Sequence, residues 1–149
     1  MKRNIEKPEG KLGILLPGMG AVATTLISGV LATKKGIGKP IGSLTQMGTI
    51  RLGKRTENRN PLIKDFVPLA NLNDIVFGGW DLFKDNAYET AIKAGVLDKH
   101  LVEELKDDLI KIRPMKAVFD KKYIVNLEPN NLKPPATKYE HAQELIKDI

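Results

Sequence analysis

Two glycines and an alanine stand at the spacing that a phosphate-binding turn requires. Residues 18–23 read Gly-Met-Gly-Ala-Val-Ala and match the pattern G-x-G-x-x-G/A. In that pattern Gly18 permits a tight turn, Gly20 leaves room for a pyrophosphate, and Ala23 lets a helix lie close to a strand. The N–H groups and partial positive charge of the helix N-terminus would face the phosphates. The spacing favours a dinucleotide site; a simple tight turn is the alternative.

The segments on either side of the glycines must supply a strand and a helix, and both patterns are present between Leu12 and Lys35. Lys11–Leu16 is a short, largely apolar run, typical of a strand buried in a parallel sheet. The residues after the glycines have apolar side chains at helical spacing and predict a buried stripe of Val22, Leu26, Val30 and Leu31. Two lysines and a glycine at 34–36 predict the end of this helix.

The same region has two alternative interpretations, a membrane span and a signal peptide. Leu12–Thr33 contains no charged residue over 22 positions, and Lys2 and Arg3 precede it as they would in a leader peptide. Pro17 and the two glycines that follow would, however, break a continuous helix in its middle. A strand followed by a helix explains these residues better.

A carboxylate is the remaining part of the dinucleotide fingerprint. An Asp or Glu normally follows the glycines by about twenty residues and binds a ribose hydroxyl, but residues 36–55 contain neither. The predicted second strand, Ile41–Thr45, therefore lacks the acid. The candidate is Asp81, which follows a predicted third strand at Ile75–Trp80, at the strand end where open α/β sheets bind ligands. Its alternative role is to cap a helix that begins near Asn86.

Other catalytic constellations are not found in the sequence. The chain has no cysteine, and His100 and His141 are isolated. A helix is predicted from Asp98 to Ile112, closed by Pro114, with an apolar stripe on one face. Its acidic residues are interleaved with lysines and predict a solvated face; they are Glu103, Glu104, Asp107 and Asp108. We therefore predict no metal site and no catalytic residue in this chain.

The net charge of +6 raises the question of nucleic acid. Aromatic residues make up only 5% of the chain, too few for base-stacking platforms beside basic charge, and no nucleic-acid-binding motif is found. The densest basic segment, Arg51–Lys64, is predicted to be a solvated loop. Its alternative role is an anion site for a cofactor phosphate or a partner surface.

Composition and element order together predict the fold class. A hydrophobic fraction of 42% is enough for one domain with a core, and three strands alternating with helices indicate an α/β fold with a parallel, Rossmann-type sheet. Thr137 and Glu140 form a capping-box pattern before a last helix, whose apolar face is Ala142, Leu145, Ile146 and Ile149. Because the sequence stops within that face and three strands are half of such a sheet, we expect the domain to be incomplete at its C-terminus.

Taken together, the motifs resemble a known family, the inositol-3-phosphate synthases, also called myo-inositol-1-phosphate synthases. The resemblance is greatest to the bacterial branch and covers nearly the whole chain in consistent order. The Gly-Ser-x-Thr-Gln and Gly-Trp-Asp segments are far more specific than the glycine motif alone. The matching segments are residues 15–25, Gly42-Ser43-Leu44-Thr45-Gln46, Gly79-Trp80-Asp81, Arg113-Pro114 and Val118-Phe119-Asp120.

This resemblance implies an NAD-binding, Rossmann-type domain over residues 1–149, without the family's catalytic and tetramerisation domain. It implies that Asp81 binds the adenosine ribose of the cofactor. The cofactor is then NAD rather than NADP, because a carboxylate repels the 2′-phosphate of NADP. Other branches have Gly-Gly-Asn-Asn-Gly where this chain has residues 20–23, so contacts from those asparagine side chains are not expected here. Five consecutive residues are implied to cradle the pyrophosphate: Gly18, Met19, Gly20, Ala21 and Val22.

The activity implied by the resemblance is conversion of D-glucose 6-phosphate to 1D-myo-inositol 3-phosphate, a step of inositol and phospholipid biosynthesis. Bound NAD would oxidise the sugar, an internal aldol step would close the ring, and the retained hydride would reduce the ketone. The family's catalytic lysines lie in the following domain, so the 149-residue chain alone is not expected to be catalytically competent. The resemblance also implies a homo-oligomer, a tetramer in the family. From the residues we expect a cytoplasmic protein, which the lack of cysteine fits, that binds neither nucleic acid nor membrane.

Two other functions are compatible with the residues alone. One is the front domain of a different NAD(P)-dependent oxidoreductase, which would reduce a 2-oxo substrate and release its cofactor. The other is a nucleotide-binding module without catalysis. The resemblance favours the synthase because its motifs keep their order along the chain.

Overall fold

The computed structural model describes residue 6, residues 8–123 and residues 125–149. Within these ranges one sheet is formed by β1 (Leu12–Pro17), β2 (Ile75–Asp81) and β3 (Met115–Lys116), in the spatial order β1-β2-β3. β2 and β3 run parallel. The predicted α/β class with a parallel sheet is confirmed. Lys2 and Arg3, the basic residues of the alternative leader peptide, lie outside the described residues.

Seven α helices occur in the described part of the chain. They are α1 (Ala21–Lys34), α2 (Leu44–Met47), α3 (Ile63–Phe66), α4 (Ala87–Ala94), α5 (Lys99–Glu104), α6 (Lys106–Leu109) and α7 (Lys138–Lys147). Short 3-10 turns cover Arg55–Glu57 and Leu72–Asp74. Among the helices of these residues, none combines the length and the apolar character that a membrane crossing needs.

The chain forms two compact units. The sheet unit comprises residues 14–28 and 77–149, and the connection unit comprises residues 29–76 with the described residues before Ile14. The sheet unit has an apolar core to which α1, α5 and α6 contribute. Its large apolar members that are at most 2% exposed are Met19, Ile27, Val102, Leu105 and Leu109. Burying each such leucine stabilises the fold by roughly 1.5–3 kcal/mol.

β1 and β2 approach each other closely at Gly79. A Cβ atom at this position would overlap the carbonyl oxygen of Leu16. Gly79 is itself buried within β2. Glycine is therefore required at this position by the distance between the strands.

The predicted helix at residues 98–112 is two short helices, α5 and α6. Asp98 caps α5 by accepting hydrogen bonds from the N–H groups of His100 and Leu101. The chain bends at Leu105, where ψ is −1°, so the single long helix is wrong. The apolar face is nevertheless buried at Leu105 and Leu109, and the acidic residues Glu103, Glu104 and Asp107 are exposed as predicted.

The buried face of α1 differs from the predicted stripe. Val22 is 85% exposed and Leu26 is 45% exposed, so the first half of that prediction is wrong. The helix instead buries mainly small residues; they are Ala23, Thr24, Ser28 and Ala32 with Ile27. The predicted role of Ala23 as a close-packing position agrees with its 7% exposure.

The predicted second strand, Ile41–Thr45, is wrong. Ile41 lies in a turn and is 79% exposed, and α2 begins at Leu44. Local hydrogen bonds satisfy this backbone: the N–H of Ser43 donates to the carbonyl of Pro40 (2.9 Å), and that of Met47 to the carbonyl of Ser43 (3.0 Å). A segment whose polar groups are paired within a turn and a helix has no need of a sheet neighbour.

Backbone contacts within the connection unit hold the basic segment Arg51–Lys64 in a defined conformation. An antiparallel bridge joins Thr49 and Leu62, and the N–H of Leu52 donates to the carbonyl of Arg59 (2.9 Å). Its basic residues Arg51, Lys54, Arg55 and Arg59 are exposed, as expected of a solvated loop. The segment adds no strand to the β1-β2-β3 sheet.

The last helix, α7, begins as predicted. The Thr137 hydroxyl accepts a hydrogen bond from the N–H of Glu140 (3.3 Å), and the Glu140 carboxylate accepts from the N–H of Thr137 (2.8 Å). The N–H and the hydroxyl of Thr137 both donate to the Glu140 carboxylate, and these two bonds lower the pKa of Glu140 below its ordinary value. The predicted apolar face is mostly wrong: Leu145 is half-buried, but Ala142 is exposed, and Ile146 and Ile149 are 70% and 76% exposed.

Candidate functional site

The predicted phosphate-binding turn lies between the end of β1 and the start of α1. Gly18 has a φ of +96°, a conformation that favours glycine, and its N–H donates to the carbonyl oxygen of Trp80 at 2.8 Å. A Cβ at Gly18 or Gly20 would meet no atom within 4 Å. Both glycines are exposed, so the turn is open to a ligand.

The N-terminus of α1 faces this open turn with donors that the helix does not use. The first intrahelical bond runs from the N–H of Thr24 to the carbonyl of Gly20 (3.0 Å). Ala21, Val22 and Ala23 lie before Thr24 in the first turn. Their N–H groups therefore have no acceptor within the helix. The first turn also carries no acidic residue. Free donors together with the positive end of the helix dipole favour an anion.

Asp81 is held directly against the turn. One of its carboxylate oxygens accepts a hydrogen bond from the N–H of Met19 (2.6 Å), and the other accepts from the N–H of Phe83 (2.9 Å). The alternative role of Asp81 as a helix cap is wrong, because Asn86 caps α4 by accepting from the N–H of Glu89 (3.0 Å). The fold therefore brings the two predicted parts of the site together.

The sheet order explains why the acid is so far from the glycines in sequence. The connection unit contributes no strand between β1 and β2, so Asp81 ends the second strand rather than the third. In a Rossmann fold an acid normally follows the glycines by about twenty residues. Here Asp81 is 62 residues beyond Met19, yet it ends the strand that neighbours β1.

A cavity of about 880 Å³ adjoins the turn and the acid. Gly18 and Gly20 line it on one side, and Asp81 stands at the end of β2. The wall is mostly apolar and includes Phe83 and Phe119. Sites for small molecules have volumes of about 300–1,000 Å³ and combine apolar walls with a few polar groups. This cavity matches that description.

Two ion pairs lie at or near the cavity. Lys93 and Asp85, which both line it, form a salt bridge at 2.6 Å. Trp80 donates its indole N–H to Asp148 (2.7 Å), and Lys133 forms an ion pair with the same carboxylate (2.8 Å). Hydrogen bonds from these two residues lower the pKa of Asp148 below its ordinary value.

Sequence reasoning missed several residues of this cavity. Phe83 and Phe119 follow the ends of β2 and β3, and a two-residue strand such as β3 has no periodicity to reveal it. The Asp85–Lys93 and Trp80–Asp148 pairs join residues whose spacing carries no signal.

None of the other candidate residues lines this cavity. Arg51 and Arg55 belong to the connection unit. The imidazole of His141 lies 2.9 Å from the carbonyl oxygen of Pro134, and His100 is exposed. No cluster of three His, Asp or Glu side chains suited to a metal occurs among the described residues.

These features together define a Rossmann-type dinucleotide-binding domain, and comparison with known proteins identifies its family. The NAD-binding family model described as myo-inositol-1-phosphate synthase matches residues 12–149. The chain belongs to this family and corresponds to its NAD-binding portion. The predicted resemblance and the predicted cofactor, NAD, are thereby confirmed.

Individual relatives agree with this assignment. Inositol-3-phosphate synthase 1 of Bacteroides thetaiotaomicron is 49% identical over 100% of this chain and 34% of its own length. Inositol-3-phosphate synthase 1 of Oryza sativa subsp. japonica is 36% identical over 93% of this chain and 30% of its own length. The crystal structure of inositol-3-phosphate synthase from Caenorhabditis elegans superposes with a TM-score of 0.79 at 25% identity, covering 95% of this chain and 31% of that one. The chain spans about a third of the length of these relatives.

Proposed function

We propose that this chain binds NAD with the pyrophosphate against the Gly18–Val22 turn and the adenosine ribose at Asp81. The observation that carries the proposal is the 2.6 Å hydrogen bond between the Met19 N–H and the Asp81 carboxylate. It joins the acid and the turn, which are 62 residues apart in sequence, into one site. When bound, NAD supplies a hydride acceptor and donor, and the residues of this chain hold and orient it.

The turn has both the space and the free donors that a pyrophosphate requires. An added Cβ at Gly20 would meet nothing within 4 Å, so the backbone is open to close approach. Gly18 and Met19 already donate their N–H groups to Trp80 and Asp81. We therefore assign the phosphate contacts to the N–H groups of Gly20, Ala21 and Val22, while Gly18 and Met19 shape the turn. The side chain of Met19 is 2% exposed and anchors the turn in the core.

Asp81 retains the capacity to bind a ribose. Each of its carboxylate oxygens accepts one backbone hydrogen bond, whereas a carboxylate offers about four acceptor positions. The remaining positions are free to accept from ribose hydroxyls. The 2′-phosphate of NADP would meet this negative charge at close range, so the site favours NAD.

The apolar part of the cavity suits the adenine ring. Phe83, Val118 and Phe119 line it beyond Asp81. A flat aromatic ring gains both burial and ring contacts in such surroundings. Lys93 is paired with Asp85 at 2.6 Å and so does not offer a free charge to a further phosphate.

For the whole protein we propose the family's activity, the conversion of D-glucose 6-phosphate to 1D-myo-inositol 3-phosphate in a cytoplasmic homo-oligomer, a tetramer as in the family. Membership of the family supports this proposal. The described residues contribute the cofactor site, and we assign no catalytic residue to them. We therefore expect the 149-residue chain to bind NAD⁺ without converting glucose 6-phosphate.

A calorimetric titration of the chain with NAD⁺ tests the proposed site. We expect saturable binding that is at least about 10-fold weaker in Asp81→Ala, since a lost hydrogen bond to a charged group costs roughly 1.5–3 kcal/mol. NADP⁺ should bind more weakly than NAD⁺. Asp107→Ala, which removes an exposed carboxylate of α6, is the matched control and should bind like the unaltered chain.

Circular dichroism of each variant must accompany the titration, because Asp81 also holds the turn. If the folded, unaltered chain did not bind NAD⁺, the turn would be structural only. If folded Asp81→Ala bound NAD⁺ as tightly as the unaltered chain, another residue would hold the ribose.

A further inference from the structure

Trp80 is an aromatic residue of the cavity wall with a hydrogen bond to a distant part of the chain. It is the only tryptophan of the chain, stands next to Asp81 in β2, and lines the cavity. Its indole N–H donates to a carboxylate oxygen of Asp148 at 2.7 Å. This bond joins β2 to the end of α7, across 68 residues of sequence.

A lysine contacts both oxygens of the same carboxylate. The Nζ atom of Lys133 lies 3.0 Å from one oxygen of Asp148 and 2.8 Å from the other. It also lies 3.5 Å from the carbonyl oxygen of Glu144 on α7. The Lys133 side chain is only 10% exposed, whereas that of Lys93 in its ion pair with Asp85 is 65% exposed. A pair shielded from water in this way is less weakened by solvent and salt.

The apolar contacts of α7 are few, which gives these polar contacts more weight. Ile146 and Tyr139 are 70% and 71% exposed. Leu145 is half-buried and lines the cavity. A helix with so little buried apolar surface is easily displaced unless specific bonds hold it.

We propose that Asp148 is a positioning residue of the nucleotide site, which holds Trp80 and α7 together as one wall of the cavity. The inference rests on the proposed NAD site, and Asp148 itself does not contact the cofactor. Without the carboxylate, the Trp80 indole and Leu145 lose their fixed positions beside Asp81. Only a fraction of molecules would then have the binding-competent wall, and the apparent affinity for NAD⁺ falls by that fraction.

Asp148→Ala tests this proposal with two separate measurements. The fluorescence of Trp80 without any ligand reports the contact itself, and calorimetric titration with NAD⁺ reports its effect on the site. We expect the emission to shift and NAD⁺ to bind about 10-fold more weakly, which corresponds to about 1.4 kcal/mol. Lys147→Ala, which removes a charge from the neighbouring exposed position of α7, should change neither.

Trp80→Phe provides a second test that keeps the aromatic ring and removes the N–H donor. If the two residues act through their shared bond, the double variant Trp80→Phe/Asp148→Ala should bind NAD⁺ little more weakly than either single variant. Additive losses would mean that Asp148 acts independently of Trp80 and would overturn the proposal. This cycle separates a specific contact from a general loss of stability, which melting curves of each variant will measure.

The outcomes distinguish this inference from the proposed function. Equal NAD⁺ affinity in Asp148→Ala and the unaltered chain would overturn the positioning role and leave the NAD site in place. An unaltered chain that did not bind NAD⁺ would overturn the proposed function and, with it, the positioning of a cofactor. An emission spectrum unchanged by Asp148→Ala would mean that the Trp80–Asp148 contact is not formed in solution.

Discussion

At the scale of single residues, the site depends on glycines with different roles. Gly18 is needed for its backbone conformation, with a φ of +96°. Gly20 is not in that conformation, and a Cβ there would meet no protein atom. Gly20 also stands at the N-terminus of α1, where glycine is a favoured residue. The open space beside it is what the proposed pyrophosphate contact requires.

Gly20→Val should separate binding from folding. We expect the melting temperature to change little, because the added side chain meets open space and valine in place of glycine at a helix N-terminus costs under about 1 kcal/mol. NAD⁺ affinity should fall by at least about 10-fold, since the branched side chain occupies the space assigned to the pyrophosphate. Calorimetric titration and thermal melting measure the two effects. Unchanged affinity would place the pyrophosphate elsewhere.

Residue types predicted the parts of the site but not their contacts. The spacing of Gly18, Gly20 and Ala23 identified the turn, and the apolar run before Asp81 identified a strand end. The sequence could not show that the Met19 N–H donates to Asp81, because a bond between residues 62 positions apart depends on the order of the strands.

At the scale of elements, β1 and β2 lie so close together at Gly79 that no side chain fits between them. A Cβ at Gly79 would overlap the carbonyl oxygen of Leu16 in the neighbouring strand. The strands must separate to accept any side chain at position 79. That separation would lengthen the hydrogen bond from the Gly18 N–H to the carbonyl of Trp80.

Gly79→Ala should therefore destabilise the fold. Overpacking of a close contact costs roughly 1–3 kcal/mol, which urea denaturation followed by circular dichroism will measure. Gly13→Ala is the control, because a Cβ in that position of β1 would meet no atom within 4 Å; its effect should stay within about 0.5 kcal/mol. If the two variants were equally stable, the strands would be able to move apart without cost.

Element prediction succeeded where hydrophobic pattern and end signals agreed. β1, β2, the end of α1 at Lys34 and the capping box of α7 were all predicted. The strand at Ile41–Thr45 was not found, because local hydrogen bonds of Pro40 and Ser43 satisfy that backbone. β3 was missed, since Met115–Lys116 is too short to show a period.

At the scale of the whole molecule, one ion pair links three parts of the chain. Asp148 of α7 accepts hydrogen bonds from Lys133 in the loop before that helix and from Trp80 of β2. Both interactions favour the charged carboxylate, and they lower its pKa in the folded state. Acid should therefore break this link.

The sign of the pH dependence follows from that lowered pKa. The link's contribution to stability is fully present above the ordinary carboxyl pKa of about 3.9, and it is lost as the pH falls through the lower folded value. We expect Trp80 emission to be constant above about pH 4 and to shift below it. Asp148→Ala should lack this transition, so the difference between the two titrations isolates it from other carboxylates. If the unaltered chain and Asp148→Ala showed the same shift of Trp80 emission at acid pH, a group other than Asp148 would cause it.

The long sequence separations at the site have a consequence for how the chain folds. The bonds that assemble the cavity join residues 62 and 68 positions apart, whereas α4 to α6 form from neighbouring residues. Closing a long loop costs entropy before its contacts are made, so local helices form early and distant strand pairs form late. The ligand site is then among the last parts to become structured during refolding. A ligand that recognises only the finished cavity would slow unfolding much more than it would speed folding.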